Sequence, residues 1–511
     1  MPTAKKHRNR KSQASISLHC TRLIIATNRG PIEFEISKDR KLKARRGAGG
    51  VVTALIGTLS HRSATWVALA MTEGDRLALK EARDGIIVSP LEDLKVQLRY
   101  VEVPRTVYRK HYDTMSNRIL WFTQHYLFEH GEVALSAEKM QDAWEHGYVP
   151  VNQKIADAVC TEIERGEGNA LVMLHDYQLY LAALKIRERH PETTIQQFIH
   201  IPWPEIRYWN SSLPTVITQA IFSGLLGNDI LGFQTRNDAQ NFLEGVSALF
   251  SDATVDRDER VIDYQGHRTF VRDYPISISV SEERNSVRSS GGKRAAERVK
   301  PFLRKYNVMR VDRIEPTKNI VQGFEAYGIL LERHPELHEQ ITFLAFLVPS
   351  RQSLALYRTY QNEVLKIIED INQKYGCNGW KPVQSFVQND RAMALAALQF
   401  YNVLLVNSLI DGMNLVAKEG PVVNKVDGVL VLSRTSGAFQ QLGEASLPIS
   451  PADNLETAEA LYKALTLSSD ERKRLAQMAR EEVEHNDLAT WIKQQLDDIN
   501  ALLMTRQAVV K

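Results

Sequence analysis

The sequence predicts an α/β protein of two doubly wound, Rossmann-like parallel-sheet domains that face each other across a cleft. Three observations carry this. Short apolar runs alternate with amphipathic helical stretches along both halves of the chain, as in sheets buried on both faces. The chain has 511 residues, a length that favours two or more domains over one core. Polar side chains stand at the ends of apolar runs in both halves, where open α/β sheets bind ligands.

Composition narrows the class. The chain is 43% hydrophobic and 24% charged, with a net charge of +3, ordinary for a globular protein and too small a charge to argue for nucleic acid. Residues 5–11 (KKHRNRK) are basic with no apolar run behind them, so 1–20 reads as a disordered tail and not a signal peptide. No run approaches the ~20 apolar residues of a membrane span. Cys20, Cys160 and Cys377 are few, odd in number and widely spaced, which suits a reducing cytoplasm and makes no disulfide framework or zinc site.

In the first half, strands are expected at 21–26, 65–71, 170–174, 195–201 and 230–233, helices at 153–164, 179–189, 217–226 and 238–249, and a hairpin at 261–274. Arg29 follows the first strand. The glycines at 47, 49 and 50 precede a helix-like run at 51–59, where Gly50 would let a ligand approach the backbone. Their spacing and the polar loop before them exclude a dinucleotide fingerprint. Tyr112 and Trp121 lie in an aromatic-rich stretch whose default role is core packing. Two strands end in Asp176 and His200.

A stretch at 282–297 rich in Ser, Gly, Arg and Lys is the expected domain junction. Beyond it, strands are expected at 307–311, 341–348, 383–387, 403–406 and 429–432, with helices at 320–333, 354–375, 390–400, 470–484 and 490–504. Arg313 and Lys318 share one strand-to-helix loop, a strong anion site or a solvated charged loop. Arg351 follows the next strand. The run 403–406 leads into a turn at Asp411-Gly412 and a helix expected from Met413 to Glu419. A strand, a tight turn and a helix start present free N–H groups and the positive helix pole to a phosphate. Asp411 and Glu419 would add carboxylates for hydroxyl groups. Cations for a diphosphate plus carboxylates for hydroxyls suit a nucleotide-sugar transferase.

The motifs HDYQL (175–179), HIPWP (200–204), VDR with a lysine five residues after its Arg (311–318) and DGMNLVAKE (411–419), in this order and spacing, resemble the trehalose-6-phosphate synthases of glycosyltransferase family 20, from about residue 22 to 491. The resemblance implies a GT-B fold and a retaining transfer of glucose from a nucleotide-diphosphate glucose to glucose 6-phosphate, with no catalytic metal or cofactor. Matched by position, it implies that Arg313 and Lys318 neutralise the donor diphosphate and that Gly50 meets the donor through its backbone. Asp411, Met413, Asn414, Leu415 and Val416 would line the donor, and Glu419 would hold the ribose. His200 would touch the transferred sugar. Arg29, Tyr112, Trp121, Asp176 and Arg351 would hold the acceptor, with Arg29, Tyr112 and Arg351 near its phosphate.

Three departures stand out. The family commonly has an aromatic, glycine-containing segment after the position of Trp66, where this chain has Val67-Ala68-Leu69-Ala70-Met71. The cationic loop reads RIEPTKN, with Pro316 for the usual Tyr and Asn319 for Gly, and Ile410 replaces an Arg before DGMN. The loop matches the P-x-K-N version of the pseudo-glycosyltransferases of aminocyclitol biosynthesis. Transfer to another phosphorylated polyol or cyclitol, and an inactive regulatory relative that binds sugar phosphates, are therefore the competing readings. The expected organisation is a tail (1–20), an acceptor domain (21–285), a nucleotide-sugar domain (286–480) and a C-terminal helix (481–511) packing back on the first domain. The expected partners are small-molecule substrates, with neither nucleic acid nor membrane. The location expected is cytoplasmic, and a homo-oligomer is compatible with the sequence.

Overall fold

The computed structural model describes residues 22–506 except 38, 48–63, 93, 129–134, 167–169 and 353, together with the backbone of 507–510. The basic tail, Gly49, Gly50 and the helix expected at 51–59 lie outside the described residues.

Two large sheets organise the molecule. The first has ten strands, in the order Thr254–Asp256, Val261–Tyr264, His267–Asp273, Ile230–Phe233, Thr194–Phe198, Ala170–His175, Arg22–Ala26, Ala64–Leu69, Val96–Val101, Ile87–Val88. Its middle seven strands are parallel, while its edges turn antiparallel. The hairpin expected at 261–274 is one of these edges. The edge strands are joined by turns too short for a crossover helix, so only antiparallel pairing is open to them. The second sheet is parallel throughout: Val383–Val387, Ile341–Pro349, Tyr306–Ile314, Val403–Val406, Val429–Ser433, Ser446–Ile449.

Each sheet reverses its winding once. The first does so between Arg22–Ala26 and Ala170–His175, the second between Tyr306–Ile314 and Val403–Val406. Such switch points open a crevice beyond the carboxyl ends of the strands. The residues that follow these four strands are Arg29, Asp176, Glu315 and Asp411, so topology alone gathers the candidate site.

The domain junction is expected at 282–297. It folds as two helices, Val280–Arg288 and Ser290–Val299, capped by Ser279 and Ser289, whose hydroxyls accept from the amides of Glu282 and Gly292. Ser289, within the stretch, is a helix cap. Residues 110–120 wind with the wider i→i+5 turn of a π-helix, which the aromatic content did not foretell.

The last helix, Leu488–Val510, lies against the first sheet. Trp491 is buried with its edge on Phe198, and its indole N–H donates to the Tyr274 carbonyl at 3.1 Å. Gln196 donates to Gln495 at 2.6 Å, and Arg506 pairs with the buried Asp229. Among the described residues no helix is long and apolar enough to cross a membrane.

Candidate active site

The cationic loop is built on Arg310. This fully buried guanidinium grips Asp312 with two hydrogen bonds (3.0 and 2.8 Å) and donates to the carbonyl of Lys318 at 3.0 Å. Arg313 lies on the strand Tyr306–Ile314 and not on the loop, a correction to the expected strand end at 311. Lys318 ends a 3₁₀ turn, and Asn319 adopts a left-handed conformation (φ 53°) before the helix Ile320–Arg333. Glycine takes this conformation freely and Asn is one of the few substitutes. Asn319 also donates to the Pro451 carbonyl at 2.7 Å.

The Lys318 ammonium meets Asp411, which also accepts from Ser408 (3.3 Å) and Asn414 (3.1 Å). Burial opposes the charge on Asp411, but the Lys318 ammonium overcomes it and holds the carboxyl below the usual range. Lys318 is correspondingly raised: burial opposes its charge, and Asp411, Glu315 and Asp312 more than offset that. The helix begins at Val416 and runs to Val423, later than the expected Met413. Asn414 (φ 78°) keeps the chain in the turn, and its side chain accepts from the Ala417 amide at 3.3 Å. Met413 and Asn414 are buried, and Leu415 and Val416 half-buried.

A second cluster centres on Glu315, whose side chain is 0% exposed. Arg313 reaches one of its oxygens at 2.8 Å and Arg351 the other at 2.9 Å. Burial works against this carboxylate too, yet Arg313 and Arg351 hold it below the ordinary range. Arg351 (φ 41°) also donates to the Tyr357 hydroxyl at 2.6 Å and stacks on Trp121 at 4.0 Å from the ring centroid; Arg313 lies 5.8 Å from the same ring. Trp121 therefore carries cations from the second half onto the first.

From the first half, Asp176 enters with a left-handed backbone (φ 74°), a strained conformation for a non-glycine residue. It accepts from the His200 amide at 3.3 Å. Burial pushes its carboxyl up to about 7, against the pull of the Tyr177 and His200 amides and of Arg351 and Arg313. His200 lies two residues beyond its strand, which ends at Phe198 and not at 201. Its ring contacts His175 at 3.3 Å, and burial, with His175 beside it, keeps it neutral. Gly412 closes the gap between the halves: a Cβ there would sit 2.5 Å from the His200 carbonyl oxygen.

The structure thus brings Arg313, Lys318, Asp411, Arg351, Trp121, Asp176 and His200 to one cleft. Glu419 stands apart from this cluster, 3.4 Å from Arg391. Arg29 and Tyr112 gather around Tyr108, which Tyr112 stacks against at 5.2 Å and whose hydroxyl feels the Arg29 charge. Arg29 and Met71 line a small pocket with Gly30, Gly47, Asp75 and Tyr100. Two residues of the cluster escaped the sequence reading. Glu315 had a local signal, a lone carboxylate between the cations at 313 and 318. Arg310 had none, because it acts on groups ordinary in context. Among the described residues no group of three or more His, Cys, Asp and Glu is placed to hold a metal ion.

A trehalose-6-phosphate synthase from Escherichia coli is 30% identical over 490 residues, covering 94% of this chain and 96% of that one. A validamine 7-phosphate valienyltransferase from Streptomyces hygroscopicus is 28% identical over 495 residues, 96% of each chain. An Escherichia coli trehalose-6-phosphate structure bound with UDP-2-fluoro glucose superposes with a TM-score of 0.81 at 27% identity, covering 94% of this chain and 99% of that one. The model of glycosyltransferase family 20 matches residues 21–501. Two facing Rossmann-like sheets make a GT-B fold, and the chain belongs to glycosyltransferase family 20.

Proposed function

We propose that the protein is a retaining glucosyltransferase that moves glucose from a nucleotide-diphosphate glucose to glucose 6-phosphate, giving α,α-trehalose 6-phosphate. The observation that carries this reading is the convergence of Lys318 and Arg313 on a cleft whose opposite wall presents Trp121, Asp176 and His200. Lys318 and Arg313 neutralise the departing diphosphate. Its charge grows as the glycosidic bond breaks, so fixed cations favour the transition state over the ground state. Asp411 keeps the ammonium aimed at the cleft until the diphosphate competes for it. The turn 411–416 lines the donor with Gly50, and Glu419 holds the ribose. Arg351, Arg29, Tyr112, Trp121 and Asp176 hold the acceptor. The acceptor hydroxyl approaches on the leaving-group side, where a diphosphate oxygen takes its proton. Asp176 and His200 then need not act as bases.

The test is an activity matrix of UDP-, GDP- and ADP-glucose against glucose 6-phosphate, glucose and phosphorylated cyclitols, with products identified by NMR. The expected result is an α-linked phosphorylated disaccharide, formed at full rate in excess EDTA because the two cations supply the charge that a divalent ion otherwise would. A β-linked product, or a strict Mg²⁺ requirement for the chemical step, overturns the mechanism.

A second reading is transfer to another phosphorylated polyol or cyclitol. The valienyltransferase relative supports it, as do Pro316 and Asn319 in the cationic loop and the aliphatic 67–71 segment beside the pocket of Arg29. Turnover with a cyclitol phosphate and none with glucose 6-phosphate would select it.

A further inference from the structure

The carboxylate of Glu419 has a neighbour of its own charge. Glu283, on the helix Val280–Arg288 that leaves the first sheet, lies beside it, and one guanidinium spans the two. Arg391 Nη2 is 2.6 Å from Glu283 Oε1 and 3.4 Å from Glu419 Oε1. The carboxylate side chains are 9% and 18% exposed, whereas Arg391 is 60% exposed. One cation therefore serves two shielded carboxylates, and it sits nearer to Glu283. The second oxygen of Glu283 is buried without a hydrogen bond.

We propose that Arg391 and Glu283 are a positioning pair for the donor ribose: Arg391 holds Glu419 as an acceptor for the ribose hydroxyls, and Glu283 competes with Glu419 for that guanidinium. The proposal rests on the assignment of Glu419 to the ribose. A carboxylate offers all its lone pairs to a vicinal diol, and its protonated form gives one oxygen up to an O–H. Burial, then Glu283, push Glu419 up to about 7, and Arg391 pulls it back. Glu283 is raised by burial, held down by Arg391 and pushed further by Glu282. The other elements packed on the helix Val416–Val423 add little here. The strands Val403–Val406 and Val429–Ser433 carry no titratable group. The helix Ser469–His485 brings Arg480, which donates to the Pro421 carbonyl at 3.2 Å, and Glu482, whose charge acts on Lys418.

The two partners act on Glu419 with opposite sign. Removing Arg391 disfavours the ionised form; removing the charge of Glu283 favours it. The experiment is calorimetric titration of UDP, GDP and ADP between pH 5.5 and 9, using the tightest of the three. In the unaltered protein, affinity should rise with pH through about 7. In Arg391→Ala this limb should move to higher pH, weakening binding at pH 7 roughly three- to tenfold, with recovery by pH 9. In Glu283→Gln it should move to lower pH and tighten binding at pH 6. Arg391→Lys should lie between Arg391→Ala and the unaltered protein. Should Arg391→Ala fail to fold, the Lys variant and the near-isosteric Glu283→Gln still read both directions. A purely structural role would lower the melting temperature without moving the limb in opposite senses. Glu419→Gln separates the two claims. Unchanged affinity in that variant sinks the ribose assignment. Weaker, pH-independent binding in it, with limbs in the Arg391 and Glu283 variants that stay put or move together, sinks only the positioning pair.

Discussion

Asp411 and Asp176 are both half-buried aspartates in one cleft, and the charges beside them drive them apart. Asp411 has an ammonium in contact, whereas Asp176 feels its guanidiniums only at a distance. Removing Lys318 leaves the half-buried Asp411 carboxylate without its ammonium partner as well as a diphosphate short of one cation. Lys318→Ala and Arg313→Ala should each cost about 2–5 kcal/mol in kcat/KM, with nucleotide binding weakened; near-normal turnover in both would remove the donor site from this cleft. Asp176 gives a pH-dependent stability prediction. Its folded value of about 7 lies above the ordinary aspartate value of about 3.9, so between those values the folded state binds more protons than the unfolded one. Stability is then lost as the pH rises through that window. Asp176→Asn removes this penalty, so its melting temperature should exceed that of the unaltered protein at pH 8 and match it near pH 4. A constant difference across that range would show that the carboxyl does not carry the effect. The motifs displayed Asp411 and Asp176 plainly, yet their opposite ionisation was not legible, since it depends on which cations arrive from strands far away in sequence.

At the scale of the element, the turn 411–415 decides how closely the two halves meet. Gly412 lies against the His200 and Ile201 backbone, and a Cβ would have only backbone to displace. Gly412→Ala should therefore destabilise by about 1–3 kcal/mol and lower kcat/KM more than tenfold, since small displacements of positioned groups are costly to the rate. An active, fully stable variant would mean that the halves do not close as tightly as this contact implies. The strand–turn–helix stretch was legible because apolar runs, a turn pair and helix formers each have their own signature. Its helix start was misplaced by three residues, because Asn414 accepts a helix amide from a left-handed position that composition does not reveal. The helices at 280–299 were missed for a related reason: Ser, Gly and charged residues describe a linker and a pair of well-capped helices equally well.

For the whole molecule, the final helix ties the end of the chain to the first sheet. Trp491 is 1% exposed between Phe198 and the Tyr274 carbonyl, on the other side of the strand end that carries His200. Trp491→Ala should cost about 3–5 kcal/mol, read as a lower denaturant midpoint, and should also reduce turnover through the ring contact to His200. An unchanged midpoint would mean that the helix docks without this anchor. The sequence alone determined the two-sheet α/β architecture, the strand ends where ligands bind, the family resemblance and most of the cleft's residues, because hydrophobic period and short motifs are local properties of the chain. Only the tertiary structure decided that Glu315 joins Arg313 to Arg351, that Trp121 carries both guanidiniums, and that Arg391 stands between Glu283 and Glu419. Most of these depend on groups up to 230 positions apart (Trp121 to Arg351) being brought within a few ångströms, where burial and charge act through space and not along the chain.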